Sequence, residues 1–177
     1  MNEITKSSNR FVGYEYKDVT VKQEIEAIYS DCYPNFGWEM ENTSVPLAGI
    51  GTITMKFKRD RKIRNKAELT RLQRQFDSLA GEIVTLEHSK VIGAATVAYV
   101  IGVIGTAFMA GSVFAFLADM LPLSIVLAIP AFIGWVMPYF CFTKIRRNKT
   151  AKVEPLIDQK YDEIYEVCEK ANSLLSK

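Results

Sequence analysis

Two apolar runs stand almost back to back in the second half of the chain. Val91–Ala118 and Leu121–Phe142 contain no charged residue, and only Asp119 and Met120 separate them. A helix needs about 20 apolar residues to cross a hydrocarbon core, so each run is long enough. So short a connection holds the two helices side by side. The runs predict a transmembrane hairpin, with one helix over 91–118 and the other over 121–143. A soluble core rarely accommodates two uncharged runs of this length.

The flanks predict the orientation. Lys90 precedes the first run, Lys144, Arg146, Arg147, Lys149 and Lys152 follow the second, and the loop carries no Lys or Arg. Positive charge is retained on the cytoplasmic side, so both termini are expected there, with the hairpin in the cell (inner or plasma) membrane. Trp135, Tyr139, Phe140 and Phe142 read as an interfacial aromatic belt.

Small residues mark a packing face. At 100° per residue, Ala94, Ala98, Gly102, Gly105 and Ser112 share one side of the first span, while Ser124 and Ala131 repeat in the second with Ala128 and Pro138. Small side chains let helix backbones approach closely in lipid. The face serves either the two spans or neighbouring protomers. A pore lined by Gly105, Thr106, Ser112 or Ser124 is the alternative use. Pro130 and Pro138 are expected to kink the second span.

The 177-residue chain is polar and charge-rich outside 91–143. Residues 1–10 lack the apolar core of a signal peptide and are expected to be disordered. Residues 11–64 read as a small βαββ unit. Val12, Tyr14 and Tyr16 alternate as on a strand. Thr20 and Gln23 fit a capping box ahead of a helix whose apolar face holds Ile25, Ile28, Tyr29 and Cys32, and Pro34–Gly37 ends it. Trp38 and Met40 suggest a second strand, Asn42–Gly51 a loop, and Ile53, Met55 and Phe57 a third strand. So small a core needs further cover.

That cover is expected from helices. Leu69, Leu72, Phe76, Leu79, Ile83 and Leu86 make a heptad-like seam, so a cytoplasmic helix over 65–90 is predicted to continue into the first span. After the second span, 144–177 is expected to be a separate C-terminal helix, with Pro155 in its first turn and a stripe of Ile157, Tyr161, Ile164, Cys168, Ala171 and Leu175. The tight hairpin would set these two helices antiparallel, as a coiled-coil-like pair. Ile83 would then face Val153, Leu79 face Leu156, and Phe76 face Tyr161. Lys66 would lie near Glu169, Arg71 near Glu163 or Glu166, and Arg74 near Asp162.

No chemistry is legible. The three cysteines, Cys32, Cys141 and Cys168, show no CxxC spacing and read as reduced thiols. His88, the single histidine, lies beside the predicted membrane boundary and reads as structural. No hydrolase, metalloprotease or phosphate-loop motif occurs, and Gly49–Gly51 lacks the rest of a dinucleotide fingerprint. No catalytic residue, cofactor or metal is expected. Lys56, Lys58, Arg59, Arg61, Lys62, Arg64 and Lys66 form a basic patch that reads as a solvated turn ahead of anionic lipid or nucleic acid.

The segments Gly51–Asp77 (GTITMKFKRDRKIRNKAELTRLQRQFD) and Asp158–Lys170 (DQKYDEIYEVCEK) resemble those of small bacterial two-span membrane proteins of unknown function. That resemblance implies no activity and no site residue. The fold class expected is an α-helical membrane protein: a two-helix hairpin with cytoplasmic helical extensions and a small α+β unit. The role expected is a non-enzymatic scaffold or regulator, homo-oligomeric, embedded in the lipid bilayer and acting on a cytoplasmic protein, with no nucleic acid. The runner-up is an oligomeric channel or small-solute pathway. A ligand sensor built on the aromatic-rich unit is a third reading.

Overall fold

A computed structural model describes residues 12–45 and 51–176. The chain is mostly helical, with two long apolar helices and a small antiparallel sheet. Strand β1 (Tyr14–Lys22) leads through a 3-10 turn into helix α1 (Glu26–Cys32), and a second 3-10 turn (Tyr33–Phe36) precedes β2 (Glu39–Ser44). Strand β3 (Thr52–Asp60), helix α2 (Lys66–Leu117) and helix α3 (Leu121–Leu175) follow. The expectations for residues 1–10 and for Pro46 lie outside the described residues.

The contacts divide the chain into two compact units. One holds the described residues up to Ala80 together with those from Tyr161 onward; the other is Gly81–Lys160.

In the first unit β3 is central, with β1 and β2 on its flanks, all antiparallel. Alternation on β3 sends Ile53, Met55, Phe57 and Arg59 inward. Tyr33, Phe36, Trp38, Phe57, Phe76 and Tyr29 form an aromatic core; Tyr33 lies 4.4 Å from Phe57 and Tyr29 lies 5.0 Å from Phe76 between ring centroids. Leu69 and Leu72 from α2, and Ile164, Val167 and Ala171 from α3, are buried in the same unit. The strands alone offered too little apolar surface, and the helices complete the core.

Several local expectations are corrected. Thr20 is not a helix cap: β1 runs on to Lys22, and the Thr20 hydroxyl meets that of Thr54 at 2.9 Å across the strands. Cross-strand pairing outcompetes the capping box. Tyr14 and Tyr16 lie on the exposed face of β1, 45% and 67% accessible, which turns Glu15 and Lys17 the other way. Asn42–Ser44 belong to β2 instead of a loop, after a bulge between Met40 and Asn42. Gly37 takes a φ of 81°, and a side chain there would strike Ile63, so the turn after Phe36 requires glycine.

In the second unit α2 and α3 form a tight antiparallel hairpin. Contacts step outward from the turn: the Ser112 hydroxyl donates to the Ser124 carbonyl at 2.8 Å, Gly111 lies against Leu127, Gly105 against Gly134, Gly93 against Lys149, and Lys160 pairs with Glu82 at 3.1 Å. The turn closes by hydrogen bonds from the Met120 amide to the Ala115 carbonyl and from the Asp119 amide to that of Phe116, with Asp119 at φ 57°. This is a Schellman-type helix end, with aspartate where glycine is usual.

Pro155 does not begin a new helix; it sits with Pro130 and Pro138 inside one continuous α3. Val153 and Ile157 are buried, whereas Leu156 is 48% exposed, so the buried stripe of α3 runs through the first two and not through Leu156. The Lys160–Glu82 contact also lies further along α3 than an Ile83–Val153 match assumes.

Candidate functional site

The richest polar constellation lies in the first unit, where a cleft of about 280 Å³ is lined by Glu15, Lys17, Trp38, Arg59, Gln73, Asp77 and neighbours. Strand register creates one half of it. Glu15 pairs with Arg59 across β1 and β3, and Lys17 with Phe57. Helix α2 supplies the other half through Gln73 and Asp77, one turn apart.

Two linked networks fill it. Arg59, 4% exposed, donates to Glu15 Oε1 at 2.6 Å and to the Phe36 carbonyl at 3.3 Å, with its guanidinium 4.3 Å from the Trp38 ring centre. Lys66 Nζ takes the other Glu15 oxygen at 2.6 Å. Trp38 Nε1 donates to Gln73 Oε1 at 3.0 Å, and Gln73 Nε2 approaches the Tyr33 hydroxyl at 3.5 Å. That hydroxyl donates to Asp77 Oδ1 at 3.1 Å, while Lys17 Nζ donates to both Tyr33 and Asp77 at 3.0 and 3.2 Å. A buried guanidinium is tolerated only with such pairing.

The electrostatics fit a structural network. Burial works to raise the Glu15 carboxyl, but hydrogen bonds from Lys66 and Arg59 outweigh it and hold the group below the usual carboxylate range. Burial, then the Asp77 charge, pushes Tyr29 up to about 12 and moves Tyr33 upward as well, so both phenols stay protonated. Among the described residues no buried side-chain nitrogen or oxygen lacks a partner, and no cluster of His, Cys, Asp or Glu is built to hold a metal.

The basic run is not one patch. Arg59 is buried and Lys66 is spent on Glu15. Lys58 pairs with Glu39 and Glu41, 3.7 and 3.4 Å away. Lys56, Arg61, Lys62 and Arg64 are exposed. Strand alternation sends Lys56 and Lys58 to one face and Arg59 to the other. Of the cations expected to face α3, Lys66 meets Glu15, and Arg71 pairs with Glu68 at 2.6 Å within α2.

The small residues fall as follows in the second unit. Ala94, Gly105, Ser112 and Ala131 are buried, and Ala98, Gly102 and Ser124 are half-buried. Gly134 was missed, although it is the residue whose backbone Gly105 touches. Glu15, Gln73 and Asp77 were also missed. The one signal for Gln73 was its position beside Leu69, Leu72 and Phe76 on the buried face of α2.

No protein-family model, curated protein or solved structure matches the chain.

Proposed function

We propose that this protein is a non-enzymatic membrane scaffold or regulator. Its α2–α3 hairpin spans the cell membrane, its termini and α+β unit lie in the cytoplasm, and it works as a homo-oligomer on a cytoplasmic protein partner. One observation carries the membrane part. The most apolar stretches of α2 and α3 are only 17% and 11% buried. Core helices of a soluble protein bury such residues, whereas Phe114, Leu117, Ile125 and Tyr139 stand 65–72% exposed on the two helices. Exposure of that much contiguous apolar surface to water is prohibitive, and lipid removes the penalty.

The non-enzymatic reading is supported by the polar network of the first unit, which spends its charged groups on one another and leaves its tyrosines protonated. The preference for packing over a pore is supported by the Ser112–Ser124 hydrogen bond and by the Gly105–Gly134 contact within the hairpin.

Cysteine labelling in intact cells tests the topology, in a background of Cys32→Ala, Cys141→Ala and Cys168→Ala. Met120→Cys is expected to react with an impermeant maleimide and Asn148→Cys to be protected until the cells are permeabilised. The reverse pattern inverts the orientation, and recovery of the protein in the soluble fraction removes the membrane reading. Mass measurement of the nanodisc-embedded protein tests the oligomer, and a single-chain mass rejects it.

A further inference from the structure

Helix α3 leaves its apolar stretch at Phe142 and carries Lys144, Arg146, Arg147, Lys149 and Lys152 beyond it. Retention of positive charge in the cytoplasm needs only the charge, wherever it sits around the helix. The structure places it. A groove of about 440 Å³ opens on α3 in the second unit, lined by Phe142, Thr143, Arg146, Arg147, Thr150 and Glu154. Spacings of three and four put Thr143, Arg147, Thr150 and Glu154 on one side of the helix, with Arg146 beside them. Lys144 and Lys152 do not line the groove, and at 100° per residue Lys152 falls on the opposite side.

The groove holds uncommitted cations. Arg146 and Arg147 are exposed, and among the described residues neither makes a hydrogen bond or an ion pair. Other cations of the hairpin are spent, Lys90 on Glu87 at 2.8 Å and Lys160 on Glu82 at 3.1 Å. The Thr143 hydroxyl is committed to the Tyr139 carbonyl at 2.9 Å, which leaves Thr150 as the hydroxyl donor. Arginine forks suit phosphate oxygens, which they can take two at a time.

An apolar track continues from the groove. Stepping back from Thr143 by four, three and four residues gives Tyr139, Val136 and Phe132, each 59% exposed or more. The heights also match a bilayer. Arg146 and Arg147 stand about 6–7.5 Å past Phe142 along the axis at 1.5 Å per residue. The headgroup layer on each side of the hydrocarbon is about 5–8 Å deep, so both arginines fall within it. Glu154, about 18 Å past Phe142, lies beyond it.

We infer that this groove binds one anionic phospholipid of the cytoplasmic leaflet, an inference that rests on the membrane-spanning reading of α3. Arg146 and Arg147 take the phosphate oxygens, the Thr150 hydroxyl donates to the headgroup, and the acyl chains run back over Tyr139, Val136 and Phe132. A soluble phosphate would satisfy the arginines and leave the apolar track bare. A lipid covers both, since its charged head and apolar tails are joined in the same order as the two halves of the site.

The test uses the full-length protein in neutral detergent, with dioleoyl phosphatidylglycerol and dioleoyl phosphatidylcholine as probes and native mass spectrometry to count bound lipid. The wild-type protein is expected to prefer phosphatidylglycerol. The double variant Arg146→Gln/Arg147→Gln should bind it roughly 10- to 30-fold more weakly, with phosphatidylcholine binding unchanged. Lys144→Gln/Lys152→Gln removes the same charge from the same stretch and should keep the preference. Arg146→Lys/Arg147→Lys keeps the charge and should bind phosphatidylglycerol more tightly than the glutamine pair, which excludes misfolding as the cause of the loss. Equal losses in the arginine and lysine pairs would mean diffuse attraction and overturn the groove, as would no loss in the arginine pair. Displacement of the lipid by sodium phosphate would assign the groove to a soluble anion instead. Flotation with pure phosphatidylcholine vesicles separates the two levels. A protein that floats but shows no phosphatidylglycerol preference overturns the groove alone, and one that does not float overturns the membrane reading with it.

Discussion

Gly105 and Gly134 meet backbone to backbone: a Cβ on Gly105 would lie 2.9 Å from the Gly134 carbonyl carbon, and one on Gly134 2.6 Å from the Gly105 Cα. Neither position tolerates a side chain without separating the helices. The contact is a close backbone approach at a point where any larger residue would hold α2 and α3 apart, as small-residue crossings do in lipid.

Replacement of Gly105 and of Gly102, both in α2, is therefore expected to give unequal results. Gly105→Leu should destabilise the hairpin by about 1–3 kcal/mol, the usual cost of an overpacked contact. At Gly102 nothing lies within 4 Å of an added Cβ, so Gly102→Leu should be nearly neutral. Thermal unfolding in detergent compares them. Equal losses would place the crossing elsewhere along α2.

Glu15 predicts an acid limb. Its carboxyl is held below the ordinary value of 4.5 by Lys66 and Arg59 against the opposing effect of burial. A carboxyl depressed on folding contributes stability that is complete above its unfolded pKa and is lost as pH falls through the lower folded value. The wild-type protein should thus lose stability below about pH 4.5, and Glu15→Gln should show a shallower acid limb with a lower plateau at neutral pH. Circular dichroism melts across pH 3–7 would measure both. An unchanged acid limb would mean that other carboxylates govern it.

The tyrosines predict the opposite limb. Tyr29, pushed up to about 12 by burial and then by Asp77, stabilises the fold below the ordinary phenol value, and that contribution disappears as pH rises through the folded one. Ultraviolet titration should show most of the eight tyrosines ionising first, with Tyr29 and Tyr33 following only as the fold opens. Tyr33→Phe removes the hydroxyl that links Lys17, Asp77 and Gln73. Its expected cost is about 1–3 kcal/mol, because Gln73 is left with a buried donor unpaired. A neutral Tyr33→Phe would mean that the network contributes no net stability.

Periodicity and apolar length were local signals, and they sufficed for the large elements. The unbroken pattern from Lys66 led to one long α2, the pair Asp119–Met120 to a tight turn, and Ile53, Met55 and Phe57 to the inner face of β3. A run of apolar residues or an alternation of two states its own secondary structure, because the backbone hydrogen bonds of a helix or the pleat of a strand impose that period. Proline was read too strictly: Pro155 costs α3 one backbone hydrogen bond, and the surrounding buried residues Val153 and Ile157 keep the helix going.

What only the tertiary structure decided was which charged residues meet and which thiols are buried. Arg59 looked like one more member of a basic run, yet antiparallel register puts Glu15 opposite it and Trp38 against its guanidinium. Cys32 and Cys168 looked like unrelated thiols, and the tertiary structure buries both within the first unit. Gly134 was one small residue among many until the crossing with Gly105 selected it. Such contacts depend on strand register and helix packing between distant segments, so no local period encodes them, and the same side chains in a different register would be an exposed patch, a pair of exposed thiols and an ordinary helical glycine.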